Sequence, residues 1–460
     1  MRQLRLPCGM LLLSCLCACA TSAISPQARD PQLPQRWQQP AAPAATAPAA
    51  GWLQELDSAP LEQLVAESQA ANYTLARQRA RVEELRQGVT VEAAALWPQV
   101  SAEVGAARSK VDGSDSNNAD VTLWQADVAL DWELDIWGKL SDRQRQAALA
   151  ALREQQIQLA AEVATGWFST LANAQLEALL AQRLDNVSAD LASLQQGYRR
   201  GLFEARDVYL SRNTVADSRA NLAGQQQAYQ EARAALQLSL ARYPSGRGPA
   251  LQGELPELRP VTAAGTPALL LQRRSDIQGA WLELLAADAG LAAAHKDRFP
   301  SFSLVGRAGR TSGDLDNLVD VGLSSWSIGA SLAQPLFQAG RLQALEAQAR
   351  ARVVQAEKAY LDTVYTALAE VERLLSAELT LRQQLDAQRE SRQNANIAYE
   401  LSLQQYERGL VDYTTVLEAQ RRAFDAQTAV IQLHYQVIAN RIELYRALGG
   451  DFALPDTTTT

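Results

Sequence analysis

Apolar and polar residues alternate along two paired stretches of the chain. Trp124, Ala126, Val128, Leu130, Trp132, Leu134 and Ile136 share one face of an extended segment, and Gln125, Asp127, Ala129, Asp131, Glu133 and Asp135 share the other. A period of two is the mark of a strand. Val100, Ala102, Val104 and Ala106 form a first strand before it, across the polar loop Asp112 to Asp120. The pattern returns in Phe302, Leu304, Gly306 and Ala308, and again in Trp326, Ile328, Ala330 and Leu332. Strands of about ten residues, apolar on one side and polar on the other, fit a membrane barrel with lipid outside and water inside. A soluble, half-buried hairpin shows the same alternation. The barrel reading makes Trp124, Val128, Leu130, Trp132, Trp326, Ile328 and Leu332 lipid-facing, with Trp124 and Trp132 suited to interfacial girdles. Asp127, Asp131, Glu133 and Asp135 then form the wet face of a lumen.

Between the strand pairs the period changes to that of helices. A first helix is expected over about 61–96 and its counterpart over about 267–297, each ending before a proline, Pro98 or Pro300. Residues 141–197 contain no proline, and at about 1.5 Å per residue they reach on the order of 85 Å as one helix. Leu176, Leu180, Leu184, Val187, Leu191, Leu194 and Tyr198 recur at three- and four-residue steps, a coiled-coil seam. Leu361, Val364, Leu368, Val371 and Leu375 form a similar seam. Gly201 and Gly409 interrupt these helices, and return helices follow to about Arg242 and about Leu448.

The two halves read as copies of one unit. Trp97-Pro98-Gln99-Val100-Ser101 resembles Phe299-Pro300-Ser301-Phe302-Ser303, offset by 202 positions. Gly138-Lys139-Leu140 and Gly340-Arg341-Leu342 keep that offset, as do Trp124 and Trp326. Tyr198-Arg199-Arg200-Gly201-Leu202 and Tyr406-Glu407-Arg408-Gly409-Leu410 are offset by 208. The expected organisation is a signal peptide over 1–18, a Pro/Ala-rich tether over 19–51, a first repeat over 52–260, a second over 261–450 and a tail over 451–460. The repeats carry strands at about 97–137 and 299–338, and helical hairpins at about 141–242 and 343–448.

Arg2 and Arg5 followed by the apolar run Leu6 to Ala18 read as an export signal. All four cysteines, Cys8, Cys15, Cys17 and Cys19, fall within or beside it. The remaining chain therefore has no disulfide to form. Leu16-Cys17-Ala18-Cys19 resembles a lipobox, which marks Cys19 as the lipidated residue; Cys15 is the competitor. N-acyl and diacylglycerol chains on Cys19 would anchor the protein without spanning the bilayer. The proline-rich stretch that follows reads as an extended tether.

The chain carries 43 Lys and Arg against 51 Asp and Glu, a formal net charge of −8. That balance argues against a nucleic-acid partner. No segment after the signal has the apolar length of a membrane helix. Any spanning must then use strands. Each chain supplies four, whereas the smallest closed membrane barrels need about eight, so several chains must share one barrel.

The most specific stretch, Pro267-Ala268-Leu269-Leu270-Leu271-Gln272-Arg273-Arg274-Ser275-Asp276-Ile277, resembles the P-x-x-L-L-x-R-R-P-D-I of the TolC/OprM outer-membrane factor family, lipoprotein (NodT-type) branch. Ser275 replaces the usual proline. Trp132 to Leu140, Pro335 to Arg341 and Tyr406 to Gln420 also match that family. The resemblance implies a mixed α/β membrane protein: a trimeric, twelve-stranded outer-membrane β-barrel continued by a long periplasmic α-helical barrel. It implies a passive outlet for small molecules, fed by a periplasmic adaptor and an inner-membrane RND-type pump. A protein-secretion outlet shares the fold, and a non-conducting periplasmic spacer lipoprotein is a reading from another class.

On that resemblance, Arg200, Gly201, Leu202, Arg408, Gly409 and Leu410 are tip residues that dock the adaptor, besides forming tight turns. Asp412 matches an aspartate at the pore constriction, with Tyr413 packing beside it and Asp207 as the equivalent-looking residue of the first hairpin. An ordinary helix-capping aspartate fits Asp412 equally well. A ring of like charges on one axis would repel and favour cations. His295 and His434 stand far apart in the chain with no ligand cluster around them, so no metal site is expected. No phosphate loop or nucleophile motif occurs, and no catalysis or cofactor is expected.

Overall fold

The computed structural model describes residues 31–38, 52–56, 58–111, 119–135, 151–247, 253–261, 266–316 and 323–450. The signal with Cys19, the rest of the tether, Gly138-Lys139-Leu140 and the tail lie outside the described residues. Three helices lead in: α1 (Trp52–Glu55), α2 (Ala59–Ala71) and α3 (Tyr73–Ala94). Strands β1 (Gln99–Val111) and β2 (Ala119–Leu134) precede helices α4 (Ala151–Arg199) and α5 (Ala205–Ser239). Then come α6 (Pro267–Arg273), α7 (Ser275–Lys296), β3 (Ser301–Ser312), β4 (Leu323–Ala333), α8 (Arg341–Glu407) and α9 (Tyr413–Ala447).

The chain divides into two compact units. One holds Arg81–Leu149 and Gly279–Asp362. Its centre is an antiparallel sheet in the order β1-β2-β3-β4. The register runs without a slip, from Gln99 opposite Asp131 to Ala102 opposite Val128, then Val128 opposite Ala308, and Ala308 opposite Trp326. Directly paired residues share a face, so the alternation seen in each strand adds up to one apolar and one polar face across the whole sheet. The chain does not cover the apolar face: Val104 is 71% exposed, Trp326 80%, Ile328 70% and Leu332 61%. At the helix-side margin the Trp132 indole N–H donates to the Leu96 carbonyl at 3.0 Å.

The other unit contains Leu33–Ala80, Ala150–Gln278 and the chain from Thr363 onward. Its core joins Trp52 and Leu56 of α1, Leu61 and Val65 of α2, Val163 and Phe168 of α4, and Ile438 and Ile442 of α9. The expected seams hold in part: Leu176, Val187 and Leu194 are buried on α4, and Val364, Leu368, Val371 and Leu375 on α8, while Leu180, Leu184, Leu191 and Leu361 are half-buried and Tyr198, at the end of α4, is exposed. Arg441, 2% exposed, is bonded to Glu378. Burial alone would raise the Glu378 carboxyl, but Arg441 and Arg382 outweigh it and hold the group below its ordinary range.

Two expectations need correction. Neither leading helix is continuous. α2 ends at Asn72, whose backbone is extended and whose Oδ1 accepts the N–H groups of Thr74 at 2.9 Å and Leu75 at 3.2 Å. One side chain thus stops one helix and caps the next. The counterpart breaks at Arg274, again extended, 202 positions later. The Arg274 guanidinium grips Asp276 at 2.6 and 3.0 Å and Glu370 at 2.7 Å, which the straight helix could not allow. The tether is also not wholly extended away from the fold. Trp37 is buried at 9% exposure, and the Gln38 N–H donates to the Glu372 carboxylate at 2.7 Å.

Candidate functional site

The α4–α5 and α8–α9 hairpins each turn through one glycine with positive φ, Gly201 at 75° and Gly409 at 72°. The hydrogen bonds explain why. Leu202 N–H donates to the Gly197 carbonyl and Gly201 N–H to that of Tyr198, both at 3.0 Å. Leu410 N–H donates to Gln405 at 2.9 Å and Gly409 N–H to Tyr406 at 2.8 Å. This is the Schellman arrangement, which places its C′ residue in left-handed backbone. Both turns project a leucine into solvent, Leu202 at 69% exposure and Leu410 at 68%. Arg200 and Arg408 beside them are exposed.

Behind the turns lies a small core of Leu194, Val208, Tyr413 and Val416, flanked by Phe203 and Tyr406. Tyr406 stacks on Phe203 at 5.3 Å and tilts against Tyr413 at 5.2 Å. Its hydroxyl donates to Asp207 Oδ2 at 3.2 Å, and Asp207 is buried. Burial, then the negative Asp207, holds the Tyr406 phenol above its usual range, so it stays a donor. Burial also raises Tyr413, whose hydroxyl is bonded to Ser211. One layer further in, the Gln420 amide donates to Asp190 Oδ2 at 3.1 Å and to the Tyr399 hydroxyl at 3.0 Å. Arg183 lies over the Phe424 ring at 4.4 Å. Every one of these contacts ties the second hairpin to the first or α8 to α9.

Of the residues singled out from sequence, Tyr413 and Asp207 meet in this cluster, while Asp412 is exposed at the start of α9. The position that corresponds to Asp412 in the first hairpin is Glu204, not Asp207. Each precedes its helix in extended backbone, with ψ of 151° and 153°. Two residues went unnoticed in the sequence. In the sequence Tyr406 stands out only as part of a turn motif, whereas its hydroxyl is the partner of Asp207. Gly197 has to be glycine because any Cβ would fall 2.1 Å from the Phe203 ring.

The sheet places all seven candidate lipid-facing residues on its apolar face. Its polar face pairs Glu103 with Asp127, and carries Asp131, Glu133 and Arg307. His295 contacts Glu346 at 3.2 Å, and His434 the Pro256 carbonyl at 3.0 Å. Among the described residues no group of His, Cys, Asp and Glu could hold a metal, and no helix is long and apolar enough to cross a membrane.

A four-stranded sheet together with long helical hairpins is a combination shared with solved outer-membrane channels. The chain superposes on a membrane protein from Pseudomonas aeruginosa with a TM-score of 0.82, at 30% identity, over 90% of this chain and 98% of that one. It superposes on CusC, described as forming a transmembrane channel, with a TM-score of 0.81, at 27% identity, over 91% and 99%. In sequence it is 30% identical over 389 residues to the solvent efflux pump outer membrane protein SrpC of Pseudomonas putida, covering 81% of each. It is 32% identical over 414 residues to the outer membrane protein OprJ of P. aeruginosa, covering 87% of this chain and 86% of that protein. The profile of the family "Outer membrane efflux protein" matches residues 64–242 and 266–450. The chain therefore belongs to the outer membrane efflux protein family.

Proposed function

We propose that three copies of this chain close one twelve-stranded barrel in the outer membrane and continue as a helical barrel in the periplasm. The assembly passes small molecules outward from an adaptor and an inner-membrane RND-type pump. The observation that carries this reading is the sheet: four strands whose apolar face is exposed along its whole width, with β1 and β4 each paired on one side only. In lipid each unpaired backbone group costs several kcal/mol. Pairing β4 of one copy with β1 of the next removes both edges.

Several features support the rest. The breaks at Asn72 and Arg274, and the turns at Gly201 and Gly409, repeat at the offsets of 202 and 208 read from the sequence, as an internal duplication requires. Exposed Leu202 and Leu410 are apolar anchors for an adaptor, held at fixed positions by rigid turns. The Tyr406–Asp207 bond and the Gln420 bridge hold α8 and α9 against the first hairpin and act as the closed state of a periplasmic gate. Asp412, exposed beside them, faces the constriction. Lipid chains on Cys19 add an anchor. Relatives named for solvent and toluene export point to small apolar cargo rather than protein.

The purified protein should migrate as a heat-modifiable trimer and give discrete currents in planar bilayers. A monomeric, water-soluble particle without current, once the acylated end is removed, would show the spacer reading to be right.

A further inference from the structure

We propose that Arg108, Trp124, Arg310 and Trp326 form an outward-facing belt that binds the phosphate groups of the phosphorylated glycolipid in the outer leaflet. This rests on the barrel reading above.

The belt follows from register. Arg108 opposes Thr122, two residues before Trp124 on β2; Arg310 opposes Ala126, two residues after it; and Trp326 opposes Ala308, two residues before Arg310 on β3. All four share the face of Val104, Val128 and Ile328. Each step from strand to strand is diagonal in the same sense, so each arginine lies about 7–8 Å from the tryptophan on the adjacent strand. The ends of the strands step in that sense too. The first hairpin closes at Val111 opposite Ala119, and the second at Thr311, which opposes Gln125, and Leu323. The four residues therefore run along the loop-side margin of the sheet, oblique to its strands, as a level line must in a barrel of tilted strands.

The chemistry of that line is specific. An arginine on the lipid face costs about 2–4 kcal/mol at mid-membrane and about 0–1 kcal/mol near an interface. Tryptophan prefers the interface. Their alternation marks where hydrocarbon meets headgroups. The loop-side margin is the one remote from the helices, which enter at the Gln99 and Ser301 ends, so with periplasmic helices it lies in the outer leaflet. A planar guanidinium matches phosphate oxygens in bidentate fashion, and both side chains are exposed. Lys110 and Asp120 oppose one another just beyond the belt. The opposite margin of the same face carries Val100, Trp132, Leu134, Phe302 and Leu332 and no basic residue. Such a difference between the margins suits a bilayer whose outer leaflet alone is rich in phosphorylated glycolipid. Both repeats keep the pair: Arg108 and Arg310, like Trp124 and Trp326, are offset by 202. In a closed trimer, arginine and tryptophan alternate around the circumference.

The test is native mass spectrometry of the detergent-purified trimer with bisphosphorylated lipid A, with fully dephosphorylated lipid A, and with inorganic phosphate as competitor. The wild type is expected to prefer the bisphosphorylated lipid by about tenfold or more. Arg108→Gln with Arg310→Gln should bring that ratio near one, and the paired Lys variant should keep part of it. An unchanged ratio in the Gln variant overturns the belt, as does displacement of the lipid by millimolar phosphate, which would mark a free-anion site. Heat-modifiable migration is read alongside. A wild type that forms no barrel sinks the underlying reading; an intact barrel indifferent to lipid phosphate sinks the belt alone. Should the double variant not assemble, Arg108→Gln and Arg310→Gln are read singly, and each should roughly halve the phosphate-dependent preference; no change in either rejects the proposal.

Discussion

The two helical hairpins turn in the same way and pack differently. Within the first, α4 and α5 lie close together: Gly166 leaves a Cβ position only 3.5 Å from Leu236, and Asn173 on α4 bonds the Gln225 side chain at 2.9 Å. Within the second, longer side chains bridge α8 and α9, through Gln420 and Tyr399 at 3.0 Å, Gln427 and Asn396 at 2.8 Å, and Asn440 and Glu378 at 3.2 Å. The same two helices line a groove of about 1010 Å³, where small residues such as Ala395, Ala398 and Ala426 stand beside the charged Glu418, Arg422 and Asp425. Apolar packing of small side chains makes a stiff strut. Polar bridges across a wet groove exchange readily with water and make a pair that can slide. In the gate proposed above, the first hairpin is thus the frame and the second the moving part.

The roots of the hairpins sharpen the contrast. Both α5 and α9 end in the arrangement seen at the tips, with Arg242 N–H donating to Gln237 at 2.8 Å and Gly450 N–H to Tyr445 at 2.9 Å. The left-handed residue is Ala241 in one, with φ of 55°, and Gly449 in the other, with φ of 73°. A Cβ at 449 would meet the backbone carbon of Arg273 at 2.9 Å and its oxygen at 3.1 Å. Arg273 adjoins Arg274, whose guanidinium also holds the Ala447 carbonyl at 3.0 Å. Gly449→Val therefore combines left-handed strain with a backbone clash at a junction that anchors α9. It should cost about 3 kcal/mol or more. The melting temperature should fall steeply or the protein should fail to fold, and a wild-type melting curve would show that α9 is not held at its root.

The next effect is at the tip. Tyr406→Phe removes the donor to buried Asp207 and leaves a carboxylate oxygen without its partner, at a cost of about 1–3 kcal/mol. In the proposed gate that bond joins the second hairpin to the first, so its loss should appear as a larger single-channel conductance and antibiotic leak, with the melting temperature changed less than in Gly449→Val. Unchanged conductance would mean that the bond serves packing only. Asp207→Asn, which keeps an acceptor, should sit between Tyr406→Phe and wild type.

How much of this could be read from the chain depends on the range of the cause. The strand faces were legible because a sheet with one apolar and one polar face imposes a period of two, and from Trp124 to Leu134 every residue but Ala129 repeats it. The seams of α4 and α8 were legible for the same reason. The breaks at Asn72 and Arg274 were not, because one capping side chain leaves no periodic trace. The partner of Asp207 was hidden by its distance of 199 positions along the chain. Glu204 does not stand out as the counterpart of Asp412, because the property they share is backbone position, not residue type.

Ala241 failed to announce itself for a related reason: alanine carries no turn signal, so α5 read as running on to Arg242, whereas it ends at Ser239. Left-handed backbone costs a residue with a Cβ about 1–2 kcal/mol, and glycine gives back about 0.4–1 kcal/mol through its looser unfolded chain. Ala241→Gly should therefore stabilise by a few tenths to about 1 kcal/mol, seen as a small rise in the melting temperature. The sign matters more than the size. A rise shows that the first hairpin tolerates strain at its root because close packing along α4 and α5 holds it. A fall would mean that the Ala241 methyl makes contacts worth more than the strain, and the frame would then draw part of its stiffness from its root.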